Sequence, residues 1–419
     1  VQQVDYAKRR EEIYSPIREE KIFTWDIDAH DHEEYALATI YPVSEPFVSN
    51  LRTATEQLGR IFTKTIQIVQ KGSEELFKEL GFPQETWATL RLVIDNQTPT
   101  LLGRFDFAHT PKGLKMLEFN SDTPSKVVEA FYVNEKVCHY FGWQNPNHGN
   151  NQMLTDSFQY ILQRYHQLGY PSKHIYFTSL DWHVEDAGTT KYLLQQSGLN
   201  ASFVPLSKLV IQNDGLYVHG SDQPIDVLFR FHALEILATE KSPSGDPIGS
   251  YLLQIIAQQK LAIINPPNGF ISQNKAIQAL IWNLHEQHMF FTEEEHEIIE
   301  TYMLPTYLEN PFKGKKAYVR KPIFGRNGGA ITLYEKDGTI TLTGDATEYG
   351  NQPMVYQERV ELEKIAVESL TGPYTGWLLW GCFLVGGKAS AITTRISNQI
   401  TGDSSRFLPI GLPSSSILD

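Results

Sequence analysis

Cysteine is nearly absent. Cys138 and Cys382 are the only two in 419 residues, too few for a disulfide framework or a cysteine-built zinc site, so a reducing cytoplasm is the expected compartment. Long apolar runs are missing as well. No segment reaches the roughly 18 consecutive apolar residues of a spanning helix, and the best run, Trp377 to Val385, is flanked by glycines and reads as buried strand. The charged start, with Lys8, Arg9, Arg10, Glu11 and Glu12, lacks the apolar stretch of a signal peptide. Basic residues are in deficit: 36 Lys and Arg against 49 Asp and Glu give a net charge of −13. That argues against non-specific nucleic-acid binding, which needs a basic surface. Internal repeats, low-complexity stretches and flexible linkers are also lacking. What remains is 41% apolar and 20% charged, the balance of a globular chain. At roughly 100–200 residues per domain it has room for two or three domains or one large composite enzyme.

Residues 1 to about 50 are polar and aromatic, with turn signals at Ser15-Pro16 and Tyr41-Pro42. The run His30, Asp31, His32, Glu33, Glu34 matches no zinc-ligand spacing and reads as a solvated helix start. From Asn50 to Leu80, Leu51, Ala54, Leu58, Ile61, Phe62, Ile68 and Val69 recur at helical spacing until Gly81-Phe82-Pro83. Between Leu101 and Asn120 the period changes to two around a turn at His109 to Gly113, which predicts a hairpin. From about 150 to 265 helix and strand alternate, which predicts an α/β layer with a parallel component. Beyond Pro266-Pro267-Asn268-Gly269 the strands predicted are mostly antiparallel, with Gly386-Gly387 as a two-residue hairpin turn.

Three segments carry chemistry. In the hairpin, Arg104, Asp106, Glu118 and Asn120 fall on one face, because residues i and i+2 of a strand share a face. Phe105, Phe107, Leu117 and Phe119 fall on the other. A hairpin folded about Pro111 sets Arg104 opposite Glu118. Two carboxylates and an amide oxygen are hard donors of the kind magnesium takes, with phosphates completing the shell. The same pattern also describes the solvated face of an edge hairpin with a cross-strand ion pair. Second, Lys321-Pro322-Ile323-Phe324-Gly325-Arg326-Asn327-Gly328-Gly329 is neither a P-loop nor a dinucleotide fingerprint. Its glycines would still let backbone N–H groups approach phosphates, with Lys321 supplying a point charge; an ordinary surface hairpin has the same look. Third, the strand around Met354–Val360 could offer a base an apolar slot and an edge to hydrogen-bond. Arg395 by default is a surface arginine.

Taken in order, these segments resemble the glutathionylspermidine synthetase family of ATP-grasp ligases. The motifs are Gly-Arg-Phe-Asp-Phe at 103–107, Leu-Glu-Phe-Asn-Ser-Asp-Thr-Pro-Ser at 117–125, Asn-Lys-Ala at 274–276, Arg-Lys-Pro-Ile-Phe-Gly-Arg-Asn-Gly-Gly at 320–329, Tyr-Gln-Glu at 356–358 and Thr-Arg-Ile-Ser at 394–397. The resemblance implies an α/β fold of ATP-grasp type with α+β character in its C-terminal part. It implies a largely helical segment over 1–100, a pre-ATP-grasp-like α/β part over 101–265 and a nucleotide-binding part over 266–419. By position, Asp106, Glu118 and Asn120 match magnesium ligands, and Arg104 matches the arginine at the reacting acyl phosphate. Lys275 and Lys321 match the phosphate lysines. Arg326, Asn327 and Gly328 fall in the phosphate loop, Gln357, Glu358, Arg359 and Val360 on the adenine strand, and Arg395 near the phosphates. Ser125, Glu129 and Glu235 fall where the family holds substrate.

The implied activity is an ATP- and Mg-dependent ligase, using about two metal ions, that joins a glutathione-like or other acid to a polyamine-like amine through an acyl phosphate. Without an amidase-type domain before residue 100, hydrolysis of the conjugate is not expected. Asp122-Thr123-Pro124 is closer to the stand-alone synthetase-like branch, and Lys126 stands where the bifunctional members have a small or neutral residue. The competing readings are an ATP-binding regulatory protein of the same fold that has lost turnover, and a glycosidase using Asp106 and Glu118 as its carboxylate pair. Neither nucleic acid nor membrane is an expected partner, and a homodimer is compatible with the sequence.

Overall fold

The computed structural model describes residues 5–28, 32–326, 328–345, 348–402 and 404–413. Helix Glu45–Gln70 starts on Ser44, whose hydroxyl accepts from the Phe47 N–H at 3.4 Å; such a side-chain cap satisfies one of the orphan donors of a first turn. Of the predicted stripe, Leu51, Ala54, Leu58, Ile61, Phe62 and Val69 are fully buried and Ile68 is half-buried; the helix ends at Gln70, and Glu74–Glu79 is a separate short helix. That stripe packs against the hairpin. Phe62 meets Phe105 and Phe119 edge-on at 5.5 and 5.2 Å, and those two rings stack at 3.8 Å.

The hairpin strands Leu102–Thr110 and Gly113–Asn120 do not stand alone. Leu102–Thr110 pairs antiparallel with Gly372–Val385, which turns at Gly386 and Gly387 into Lys388–Ser397. Both glycines have positive φ, 56° and 78°, the backbone that a two-residue hairpin turn requires. Lys364–Ser369 and Arg406–Phe407 complete a six-stranded sheet. Its chemistry-bearing hairpin comes from residues near 110, and its centre from residues near 380.

Ser202–Pro205, Ile175–Ser179, Val227–Arg230 and Ala262–Ile264 form a four-stranded parallel sheet in that order. A five-stranded antiparallel sheet runs Thr306–Tyr307, Met354–Glu358, Tyr318–Pro322, Thr332–Tyr334, Ile340–Thr343. The predicted switch from a parallel middle to an antiparallel end is therefore present.

Four expectations need correction. Tyr41-Pro42 is not a turn but a short strand, paired parallel with Ile410–Gly411. Ser15-Pro16 is not a turn: Pro16 lies inside helix Tyr6–Glu19. A proline removes one internal hydrogen bond, and this helix ends within one further turn. Glu34 does not open a solvated helix. It bridges Ile27, accepts from Tyr6 Oη at 2.6 Å and the Leu370 N–H at 2.8 Å, and lies 3.5 Å from the buried Arg10 guanidinium; His30 and Asp31 lie outside the described residues. The hairpin register is shifted: Arg104 faces Asn120, and Asp106 faces Glu118. A bulge between Asp106 and Phe107 inserts one extra residue on the partner strand. It turns Leu117 away from the core, and Leu114 and Met116 fill the apolar face with Phe119. Helix Glu293–Tyr302 opens on a Thr292/Glu295 capping box; its Thr-x-x-Glu pattern marks a helix not among those expected.

Candidate active site

The bulged hairpin is neither solvated nor, on its first strand, at an edge. Arg104 and Asp106 are buried. The guanidinium grips the carboxylate with two hydrogen bonds, Nε to Oδ1 at 2.6 Å and Nη2 to Oδ2 at 2.9 Å, the strong fork geometry of such pairs. Arg395, on the neighbouring hairpin, donates to Asp106 Oδ2 at 2.7 Å. It is buried rather than a surface arginine. Asn120 Nδ2 sits 3.2 Å from both Asp106 Oδ2 and Glu118 Oε1. The sequence-predicted set of Arg104, Asp106, Glu118, Asn120 and Arg395 is thus one connected cluster.

Both predicted lysines join it. Lys275 Nζ lies 3.2 Å from Glu118 Oε2. Lys321 reaches from the five-stranded sheet to the hairpin, donating to Gln357 Oε1 at 2.7 Å and the Leu117 carbonyl at 3.2 Å. Burial alone would push the Glu118 carboxyl up, but Lys275, Lys321 and Arg395 around it bring it down to about 2. Burial pushes the Lys321 ammonium the other way, down to about 8, against the pull of Glu118. Glu118 therefore stays ionised at neutral pH.

These groups open onto a cleft, continuous with solvent, between the six- and five-stranded sheets. Val319, Ile331, Leu333, Leu362 and Leu379 give it an apolar wall, while Asp106, Glu118 and the two lysines line its polar end. Gln357, Glu358, Arg359 and Val360 line it too. The Gln357 side chain serves mainly to hold Lys321 and Gln278, and Glu358 and Arg359 pair with Lys316 and Glu335. Gly328 is left-handed at φ 66°, and a Cβ there would sit 2.5 Å from the Thr401 carbonyl, so only glycine lets the loop close on Gln399–Thr401. Asn327 lies outside the described residues.

Arg326 does not line this cavity. Its guanidinium reaches Thr123 Oγ1 at 2.5 Å and Glu235 at 3.5 Å. Ser125 lies beside Arg104, which donates to its carbonyl at 2.5 Å. Glu129 is completely buried, receiving hydrogen bonds from Trp25 Nε1 at 3.1 Å and Tyr35 Oη at 2.5 Å. Burial raises its carboxyl, against the pull of Lys126.

Sequence reasoning missed the partners that build this second end: Tyr35, Glu185, and the buried pair of Asp122 with Arg230, joined at 2.6 and 3.0 Å. It also missed Asn265, which holds the Leu101 and Leu102 N–H groups and the Asp122 carbonyl. These contacts join residues more than 50 positions apart, so no local pattern announces them.

Among the described residues no group of three His, Cys, Asp or Glu side chains is gathered for a metal ion. The candidate set is instead two carboxylates and one amide. Their oxygens suit a hard cation that also takes phosphate oxygens; Asn120 turns its Nδ2 toward both carboxylates, which leaves its oxygen as the donor for a cation. No described helix is long and apolar enough to cross a membrane.

The chain is similar to several known proteins. A Haemophilus influenzae protein provisionally named an acid–amine ligase is 29% identical over 331 residues, 75% of each chain. The bifunctional glutathionylspermidine synthetase/amidase of Escherichia coli is 22% identical over 347 residues, 78% of this chain and 52% of that one. Trypanothione synthetase of Crithidia fasciculata is 22% identical over 338 residues, 76% of this chain and 49% of that one. The chain thus spans about half the length of the latter two. Among solved structures, a glutathione synthetase-like effector of Globodera pallida in its apo form superposes with a TM-score of 0.58 at 12% identity, covering 98% of both chains; it is a likeness of fold. The family model described as glutathionylspermidine synthase preATP-grasp matches residues 7–412, and the chain belongs to that family.

Proposed function

We propose that this chain is an ATP-dependent acid–amine ligase that activates a carboxylate as an acyl phosphate and passes the acyl group to an amine. The observation that carries the reading is the buried cluster in which Arg104 and Arg395 share Asp106 beside Glu118, with Lys275 and Lys321 at the polar end of an apolar-walled cavity. The apolar wall suits a nucleotide base and the lysines its phosphates. Asp106, Glu118 and Asn120 would hold Mg2+, which when bound neutralises phosphate charge and polarises the transferring group.

A carboxylate oxygen of the acid attacks the terminal phosphorus of ATP and ADP leaves. The amine nitrogen then attacks the acyl carbon, phosphate leaves, and the nitrogen gives up a proton. Charge builds on oxygen in both steps. Arg104 and Arg395 are fixed cations beside the place where it builds, and their positions are set before the reaction by Asp106. Lys275 and Lys321 hold the phosphates. The loop around Gly328, packed on Gln399–Thr401, would shield the acyl phosphate from water once substrates fill the cavity. Ser125, whose carbonyl accepts from Arg104, and Glu129 and Glu235 would contact the acid or the amine. On this reading residues 266–419 chiefly hold the nucleotide, 101–265 carry the metal hairpin and substrate wall, and 1–100 pack around them.

The test is ADP and phosphate release by the purified chain with Mg2+ and a panel of acids and amines. Release that depends on both substrates, and is lost in Lys321→Ala, supports the ligase. Full activity in Lys321→Ala sinks it, and Mg–ATP binding without turnover on any pair points to a nucleotide-binding protein that is not a catalyst.

A further inference from the structure

One lysine in the second end of the site has no role in the chemistry above. Lys126 follows Ser125, whose carbonyl caps Arg104, and its side chain is 8% exposed. The ammonium lies 3.1 Å from Glu185 Oε1 and 4.4 Å above the centre of the Tyr35 ring. Tyr35 in turn donates to Glu129, whose second oxygen, Oε2, is buried without a hydrogen-bond partner. An aromatic face with carboxylates around it is the usual cage for a cationic nitrogen, and a buried ammonium needs such partners. His183 and Asp186, 3.3 Å apart, flank Glu185 on the same helix start. The backbone at Lys126 is left-handed, φ 71°. That conformation is costly for a side-chain-bearing residue and persists only where its surroundings hold it.

We infer that Lys126 is a specificity-determining residue that fills, from within the chain, a cation position beside Arg104, so that the acceptor is a monoamine or other singly charged amine rather than a polyamine. This rests on the ligase reading. A second ammonium on the acceptor would have to displace Lys126 from Glu185 and the Tyr35 face, or sit beside it as a like charge. With Lys126 removed, the cage of Tyr35, Glu129 and Glu185 is left for an incoming cation.

The experiment is calorimetric titration of the full-length protein with spermidine as the probe, and separately with Mg–ADP. Wild type is compared with Lys126→Gly, which suits the left-handed backbone, and with Lys126→Met, which keeps the length without the charge. Lys136→Ala removes an exposed lysine and gives the same change in net charge. The expected result is spermidine binding at least about tenfold tighter in either Lys126 variant than in wild type or Lys136→Ala, with Mg–ADP affinity unchanged. Equal spermidine affinity in wild type and a folded Lys126 variant overturns the inference, as does an equal gain in Lys136→Ala. Were both variants to misfold, faster ADP release by wild type with spermidine than with ethanolamine would overturn it, and the reverse order supports it. Failure of every form to bind Mg–ADP removes the ligase reading instead, and the spermidine comparison still decides the cage.

Discussion

The two ends of the site handle charge in opposite ways. At the proposed nucleotide end, Lys275 and Lys321 face a cavity, and their partners there are one carboxylate, one amide oxygen and backbone carbonyls. At the proposed acceptor end most charges are paired inside the chain, Asp122 with Arg230, Lys126 with Glu185 and Arg326 with Glu235, while Glu129 is held by Trp25 and Tyr35 and keeps its Oε2 without a partner. An end that keeps cations short of carboxylates is built to receive an anion. One whose charges are closed on each other is built rigidly and admits only what fits the remaining space. The difference implies that substitutions at the first end remove binding or rate, while those at the second remove stability or change which substrate is taken.

Asp106 is where the two properties meet, so its loss carries the largest effect. Asp106→Ala takes the shared partner from Arg104 and Arg395, leaving two buried guanidiniums without it. Ligation is expected to fall by about a thousandfold or more, as for loss of groups that organise transition-state charge. Unfolding free energy is expected to fall by about 3–5 kcal/mol, the usual cost of breaking a buried ion pair from one side. Product assays and urea titration read the two losses; an unchanged urea midpoint would mean the two arginines are not held by Asp106.

Asp122→Ala sharpens the contrast. Asp122 anchors Arg230 with two hydrogen bonds and accepts the Leu234 N–H at 3.0 Å. It lies off the nucleotide cavity. Stability is expected to fall by about 3–5 kcal/mol, while Mg–ADP affinity of the folded fraction stays within about twofold. A loss of nucleotide affinity larger than the loss of stability would erase the distinction between the ends.

The same division explains what the sequence revealed. Arg104, Asp106, Glu118, Asn120, Lys275, Lys321 and Arg395 lie in short motifs on strands or at a helix start, where period and order are visible, and the structure gathers all seven. The face of the first strand is legible because strand periodicity holds along it, but on the second strand the bulge takes Leu117 off the apolar face and puts Leu114 and Met116 there. The register of the hairpin is not legible, because a bulge is decided by packing against helix Glu45–Gln70 and strand Gly372–Val385, far away in the chain. Arg326 read as a loop residue over phosphates, but its long side chain turns to Thr123 and Glu235, a choice set by a carboxylate 91 residues away by numbering. Glu185, Tyr35 and Arg230 carry no local signature. They matter only because the parallel sheet and the N-terminal segment bring them to the hairpin.

Lys321→Met has a smaller expected effect and a purer one. It removes a charge aimed at the cavity, and charge-assisted hydrogen bonds are worth about 1.5–3 kcal/mol, so Mg–ATP affinity is expected to fall by about 10- to 100-fold. Gln357 keeps its hydrogen bonds with Gln278 and Thr306, so the loss of stability is expected to be well below that of Asp122→Ala. A variant that binds nucleotide normally would show that Lys321 is a structural strut between the two sheets.

The smallest effect comes from pH and separates the two roles of the same lysine. With its ammonium pushed down to about 8 by burial, Lys321 loses charge near the top of the physiological range. Below that value the lysine is protonated and attracts phosphate; above it the attraction is gone. Mg–ADP affinity is therefore expected to fall several-fold from about pH 7 to about pH 9, and to do so less in Lys321→Arg, whose guanidinium does not titrate there. Stability without nucleotide moves the other way. An unfolded lysine keeps its proton to about pH 10.4, so between about 8 and 10.4 the folded state holds fewer protons than the unfolded one and is stabilised as pH rises. Affinity and stability drifting in opposite directions over one pH window is the signature of a cation kept buried for a ligand rather than for the fold, and a parallel fall of both would assign Lys321 to the fold instead.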